Sequence, residues 1–436
     1  MRNKSDATRN KGTPALTLPF GNIKVRVPFI RYLPTCRWFG GKSRTIRAVS
    51  LAHALPLPGG ASCLALLKVS YTRGPAELYS VPLSLVSPKK RTWPPASVVG
   101  QTEVAGRPFL IVDAALDPAF HQLVFEMLSR GQEVRSQALC FRGCPARTLA
   151  YERARRGRVL PARILSAEQS NTALVFGGKF YLKLFRRLEA GINPDAEVTR
   201  YLGEQAGFSG VPAFAGTLEL SSTAGQTFVL GLLEKYVPAA QDAWGLAVQE
   251  AGRYFDLVAK HVDAGRDGAV SARFLRTVGT LARCSAGLHR ALASPTKQPD
   301  FRTEACSAAD LRRLAREMQR EAWVVLRLLS VRASTLPTEL ERDARSVLER
   351  RAEILKKLAA VCLVEPGFPF IRIHGDLHLG QVLLTTKGKA VIIDLEGEPA
   401  RPLRERRRKQ PALRDVAGML RSFDYAACVA LRGRVP

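Results

Sequence analysis

The sequence predicts an α+β fold in which a β-containing N-terminal region precedes a helical lobe that carries one small hairpin. Three observations predict it. Apolar, strand-like runs recur early, at Leu64–Val69 and Leu78–Val81. Two such runs flank Gly177-Gly178, a pair suited to a tight turn between strands. Beyond Leu233 the apolar spacing becomes mainly helical, broken once by a further hairpin pattern near Gln381 to Asp394. At roughly 150 residues per domain, 436 residues suggest about three structural units. With 46% hydrophobic residues and no apolar run near the ~20 that a span requires, the chain reads as neither an integral membrane protein nor a disordered one.

Taken in order, residues 1–24 read as a flexible basic tail, with no apolar segment of a secretory leader, and the chain is expected in the cytoplasm. Residues 25–90 form a small β-containing domain, with a turn at Arg73-Gly74-Pro75. Asp117-Pro118 offers an N-cap and a first-turn proline for a helix through about Ser129, with Phe120, Leu123, Val124 and Met127 on one face. An Arg-rich stretch from Gly131 to about Pro161 reads as loop. Thr172–Phe176 and Lys179–Phe185 are the arms of the first hairpin, and Asn193-Pro194-Asp195 opens a helix through about Gln205. One more strand, Thr227–Leu233, closes this second region at 91–235 and leaves 236–436 as the helical lobe.

The formal net charge of +28 invites a nucleic-acid reading, but the arginines are dispersed. The densest run, Arg404 to Lys409, lacks interleaved aromatics, so a basic solvated face is preferred. The eight cysteines are scattered and are expected as reduced thiols; Cys140 and Cys144 lack a second ligand pair for zinc. Gly40-Gly41-Lys42-Ser43 fails the spacing of a Walker loop, leaving packing around Trp38 and Phe39.

The chemistry concentrates between Ile371 and Pro399. A two-residue turn at Lys387-Gly388 would set Gln381 opposite Asp394. Opposed Cβ atoms lie roughly 4.5–5.5 Å apart, so two hard oxygen donors would converge in a way that suits Mg²⁺. Asp376, five residues before Gln381, can take or orient a hydroxyl proton beside that metal. His374 and His378 read as fixing this loop by hydrogen bonds. In the first hairpin, the same turn arithmetic sets Lys183 across from Thr172, beside the Glu168–Thr172 loop whose N–H groups can cradle phosphate. Glu197, early in the next helix, is the candidate partner for Lys183. The reading requires both ribbons to aim their polar ends into one cleft, in this register.

His374-Gly-Asp-Leu-His-Leu-Gly-Gln381 followed by Asp394-Leu-Glu-Gly-Glu-Pro399 resembles the catalytic and metal loops of protein-kinase-like phosphotransferases, and among them the bacterial maltokinase family. Arg37-Trp-Phe-Gly-Gly-Lys42, Ser166-Ala-Glu-Gln-Ser-Asn-Thr172, Lys183-Leu-Phe-Arg-Arg187, Asn193-Pro-Asp-Ala-Glu197 and the stretch Arg414 to Ala427 extend the likeness. The resemblance implies a protein-kinase-like bilobal fold with an N-terminal cap, an intermediate and nucleotide-binding lobe, and a helical acceptor lobe. It implies transfer from ATP to the anomeric hydroxyl of maltose, giving maltose 1-phosphate on the route from trehalose to α-glucan. By motif, Asp376 becomes the catalytic base and Gln381 and Asp394 the Mg²⁺ ligands. Lys183, Glu197, Ser170, Asn171 and Thr172 become nucleotide-binding residues. Glu234, Tyr236 and Val237 form the hinge that receives adenine, and His374, His378, Glu396 and Glu398 face the acceptor. Trehalose synthase is the implied partner. Leu395 stands where the family usually has an aromatic. The family also continues with helices beyond the equivalent of Pro436, so the Arg414–Leu431 helix, with Val416, Leu420 and Phe423 on its apolar face, is expected to lack part of its cover. The alternatives weighed are a glucosamine or other amino-sugar kinase and a catalytically impaired scaffold; nucleic-acid binding is the remotest.

Overall fold

The computed structural model describes residues 16–18, 23–25, 29–88, 92–104, 106–150, 160–165, 171–260 and 270–433. Two compact units divide the chain, one of Met1–Leu288, His374–Arg407 and Gly418–Pro436, the other of His289–Ile373 and Arg408–Ala417.

Within the first unit, β1 (Leu16–Leu18) pairs antiparallel with β2 (Ile23–Val25), inside the stretch expected as a tail. A separate antiparallel sheet follows, built from β3 (Ile46–Pro56), β4 (Ser62–Tyr71), β5 (Glu77–Val86), β6 (Val98–Val104) and β7 (Arg107–Asp113) in the order β3-β4-β5-β7-β6. This cap sheet runs past residue 90 as far as Asp113. Its core gathers Phe29, Phe39, Leu67, Tyr79 and Val81, all buried. Gly41 belongs to that packing: a Cβ there would collide with the Tyr71 hydroxyl and the Phe39 ring.

Helix α1 (Pro118–Arg130) begins as its sequence requires, with the Asp117 side chain accepting from the Ala119 N–H and Pro118 in the first turn. Gly131 ends it at φ +62°, the left-handed C-terminal conformation that glycine adopts without a Cβ penalty. Phe120, Val124, Met127 and Leu128 lie on its buried face, each contributing about 1.5–3 kcal/mol relative to exposure. The region expected as loop instead supplies β8 (Glu133–Arg135) and β9 (Leu139–Pro145). Leu139, Phe141 and Gly143 alternate inward with Cys140 and Arg142 outward, a period-two pattern masked by its glycine and arginine.

These strands join β10 (Ala162–Leu165), β11 (Asn171–Phe176) and β12 (Phe180–Phe185). After β13 (Arg187–Leu188) and α2 (Pro194–Glu204) come β14 (Phe214–Ser222) and β15 (Thr227–Lys235). The resulting seven-stranded sheet has the order β10-β11-β12-β15-β14-β9-β8. Strand β13 leaves it to pair with β5, so the cap sheet is stitched to the chain immediately after β12. The β11–β12 connection has three residues, Gly177, Gly178 and Lys179, because Phe176 pairs with Phe180. Lys183 therefore opposes Ala173 rather than Thr172.

Strand β16 (Ala239–Asp242) leads into α3 (Ala243–Ala259) and, further on, α4 (Ala272–Leu292). In the second unit, α5 (Ala308–Arg332), opened by a Ser307–Asp310 capping box, packs with α6 (Thr338–Glu349) and α7 (Arg351–Ala359). The chain returns to the first unit with a hairpin of β17 (Val382–Thr385) and β18 (Ala390–Ile392); β17 also pairs with β16. This turn too holds three residues rather than two, with Gly388 at φ +71°. Val382 opposes Ile392, and the Ile393 N–H donates to the Gln381 carbonyl at 2.9 Å, so Gln381 faces Ile393 and not Asp394. The last helix, α8 (Leu413–Arg432), exposes Val416 and Leu420 and sets Phe423 against the Phe274 ring. Among the described residues no helix is long and apolar enough to cross a membrane. All eight cysteines are free.

Candidate functional site

Lys183 lies in the middle of β12 with a side chain only 6% exposed. An ammonium buried to that degree needs partners, and carboxylates from two distant segments supply them. Asp195 Oδ2 lies 2.9 Å away, Asp394 accepts a second hydrogen bond, and Glu396 Oε1 is at 3.6 Å. Asp195 also accepts the Leu395 N–H at 2.9 Å, which ties α2, β12 and the 394–399 loop into one junction.

The carboxylate that fixes Lys183 is thus Asp195, where sequence reasoning named Glu197. Both lie in the first turn of α2, whose Asn193 cap accepts from the Ala196 N–H at 3.3 Å. Residues two apart on a helix point about 200° apart, so the face that gives Asp195 to Lys183 carries Glu197 elsewhere. Arg407 holds Glu197 through both oxygens, at 2.6 and 3.1 Å.

Asp394 reaches the junction despite the shifted register. It is the one non-glycine at positive φ, +63°, among the described residues. That left-handed turn at the strand end re-aims the side chain, which accepts from Gln381 Nε2 at 2.9 Å. Burial would push the Asp394 carboxyl up, but the Lys183 ammonium overrides it and holds the group below the usual aspartate range. Burial pushes Glu396 up to about 7, with Asp394 and Asp195 adding to the rise against the pull of Lys183. Glu234, also buried, is raised well above the ordinary range by burial and then by Asp195, again against Lys183.

Asp376 stands half-buried on the loop before β17. Burial raises its carboxyl, Asp394 and Glu398 add to the rise, and His378 and His374 oppose it. His374 is 1% exposed, so the acceptor-facing role drawn from the resemblance fails. Its Nδ1 accepts from the Asp376 N–H at 3.3 Å, and Nε2 bonds the Ile393 carbonyl at 3.0 Å, pinning the loop to the hairpin. His378 caps the following turn, with Nδ1 accepting from the Gly380 N–H at 3.1 Å. Glu398 takes Arg401 Nε at 2.6 Å.

Ser170 and the rest of 166–170 lie outside the described residues. Asn171 and Thr172, at the start of β11, are buried. The Thr172 hydroxyl accepts from Arg186 Nε at 2.9 Å, an interaction sequence reasoning missed. Arg186 Nη2 also donates to both oxygens of Asp113 of the cap, at 3.1 and 2.9 Å, and the guanidinium lies 4.8 Å from the Trp38 ring. Both partners are 2% exposed. At the expected hinge, Glu234 is paired within the sheet, the Tyr236 N–H donates to the Lys179 carbonyl at 2.7 Å, and Val237 follows.

Among the described residues no group of three or more His, Cys, Asp or Glu is placed to hold a metal alone. The donor set nonetheless fits Mg²⁺, which takes one or two protein oxygens and completes its shell with phosphate and water. Asp394 would supply one such oxygen, and Gln381, which meets it through Nε2, would supply the other through its amide oxygen.

Comparison with known proteins gives two separate matches. Residues 32–117 match the maltokinase N-terminal cap domain, and residues 161–434 match the phosphotransferase enzyme family. A glucosamine kinase of Streptacidiphilus jiangxiensis is 27% identical over 271 residues, 62% of this chain and 55% of that protein. One from Mycolicibacterium smegmatis is 29% identical over 271 residues, 62% of this chain and 60% of its own. The chain thus spans little more than half the length of these curated relatives. Among solved structures, a glucosamine kinase in complex with glucosamine, ADP and inorganic phosphate is similar with a TM-score of 0.57 at 22% identity, covering 89% of this chain and 76% of that one. A second crystal form of glucosamine kinase gives 0.59 at 22%, covering 92% and 79%. These likenesses bear out the mixed helix-and-sheet, kinase-like fold with its N-terminal β cap.

Proposed function

The chain belongs to the phosphotransferase enzyme family, and on that premise we propose that it is an ATP-dependent sugar kinase. The observation that carries the reading is the junction of Lys183, Asp195, Asp394 and Gln381, with Asp376 pinned beside it through His374. Lys183, oriented by Asp195, binds phosphate oxygens of the nucleotide. Asn171 and Thr172, at the start of β11, meet the nucleotide's phosphates, while the Glu234–Val237 segment meets the adenine edge. Asp394 and Gln381 hold Mg²⁺, which when bound offsets phosphate charge. Asp376 orients the acceptor hydroxyl and takes its proton, and the burial that raises its carboxyl makes it a better base than an exposed aspartate.

The acceptor we propose is an amino sugar of the glucosamine type. The relatives named above, both glucosamine kinases, support the choice. Maltose, phosphorylated at its anomeric hydroxyl, is the second reading, favoured by the cap match. ADP release measured with glucosamine, maltose, glucose and trehalose separates them. Fastest turnover with glucosamine is expected; fastest turnover with maltose selects the second reading, and no sugar-dependent release refutes both.

A further inference from the structure

Asp376 is aimed by its backbone alone: among the described residues its carboxylate accepts no hydrogen bond. His374 fixes that backbone on one side, through the Asp376 N–H and the Ile393 carbonyl. The other side, residues 377–379, lies against helix α8. Ser422 of that helix is 8% exposed, and its Oγ accepts from the Leu379 N–H at 3.0 Å. Leu379 is fully buried, and its N–H has no other partner among the described residues. One turn earlier on the same face, Gly418 lies against the Leu377 carbonyl, where a Cβ would come within 2.7 Å of the oxygen. Glycine inside a helix is disfavoured against alanine, so its place in the interior of α8 marks a close approach of helix to loop.

We propose that Gly418 and Ser422 are positioning residues for the phosphotransfer: by gripping the loop at Leu377 and Leu379, α8 sets the direction in which the Asp376 carboxylate meets the acceptor hydroxyl. The inference rests on the kinase reading and adds to it a second anchor, on the other side of Asp376 from His374. A misplacement of about 1 Å can cost about 100-fold in rate, because proton transfer needs the two oxygens within hydrogen-bond reach. Ser422 is enclosed by the protein and Gly418 has no side chain, so perturbing them acts on the chemical step and leaves substrate affinity near its original value.

The test introduces Ser422→Ala and Gly418→Ala into the full chain, each alone and together with Asp376→Asn, with ADP binding as the check on folding. Each folded single variant is expected to lose at least about tenfold in kcat for ADP release with the best of the four sugars named above, with KM for ATP and for that sugar within about twofold of wild type. On the residual release of Asp376→Asn the same substitutions are expected to cost less than about twofold, since no proton acceptor is left to aim; a merely structural role would cost the same in both backgrounds. Hydrogen exchange on the wild type is expected to show the Leu379 amide protected. An unchanged kcat in either folded variant of an active enzyme, equal losses in both backgrounds, or an unprotected Leu379 amide overturns the proposal while the kinase reading stands. No sugar-dependent release by the wild type refutes the kinase reading and this inference with it.

Discussion

Replacing Asp113 by Asn isolates the contact that ties the cap to the chain just after β12. The guanidinium of Arg186 is 2% exposed, and its charge is matched by the two Asp113 oxygens at 3.1 and 2.9 Å. An amide keeps the acceptor for the Ala115 N–H, 3.1 Å away, but removes the countercharge. Breaking a buried pair from one side costs about 3–5 kcal/mol, whereas exchanging both partners for uncharged groups is often close to neutral. Asp113→Asn is therefore expected to lower the urea-unfolding free energy of the first unit by about 3–5 kcal/mol, and Asp113→Asn with Arg186→Met by much less. Arg186 also holds Thr172 at the start of β11, so ADP affinity is expected to fall about tenfold in the single variant, ~1.4 kcal/mol. A loss below about 1 kcal/mol, or a double variant as unstable as the sum of its singles, refutes the reasoning that the pair is buried and coupled.

Three further outcomes follow from the same geometry. Asp195→Ala removes the acceptor of two buried hydrogen bonds, from Lys183 and from the Leu395 N–H, and is expected to cut turnover per bound ATP at least about 100-fold, while Glu197→Ala costs less than about tenfold; steady-state kinetics of the two variants decide which carboxylate holds Lys183. Glu234 has a folded-state carboxyl raised above its unfolded value, so it retains its proton longer in the folded chain, and stability falls as pH climbs past the ordinary glutamate range. Glu234→Gln is thus expected to raise the melting temperature more at pH 8 than at pH 4, and a uniform shift would contradict this. The raised carboxyl of Asp376 predicts that the acid limb of kcat/KM lies above the usual aspartate range, as a pH–rate profile reads directly.

Local chemistry in the sequence foretold much of this architecture, and its limits are equally local. The Asp117-Pro118 and Asn193-Pro194 caps placed two helix starts correctly because a cap is a property of three or four adjacent residues. Both hairpins were visible from their glycines, yet both registers moved by one residue. Gly178 and Gly388 serve a three-residue loop as readily as a two-residue one, and nothing in the strands records the difference. Such a slip ordinarily turns a side chain to the other face; at Asp394 the left-handed backbone cancels it, a compensation no apolar pattern reveals. Asp195 belongs to the Asn193-Pro194-Asp195 helix start, and its two-residue offset from Glu197 is signal enough that only one of the two can face the sheet. The Arg186–Asp113 pair joins positions 73 residues apart and leaves no local trace.

The most direct test of the central claim compares wild type with Asp376→Asn for sugar-dependent ADP release in the presence of Mg²⁺ and ATP. The substitution preserves shape and the His374-anchored backbone while removing the proton acceptor. Sugar-dependent release by the wild type, reduced at least about 100-fold in the variant with ATP binding retained, is the predicted result. Equal release by the two proteins would contradict the assignment of Asp376 and, with it, the phosphotransfer centre built around Lys183.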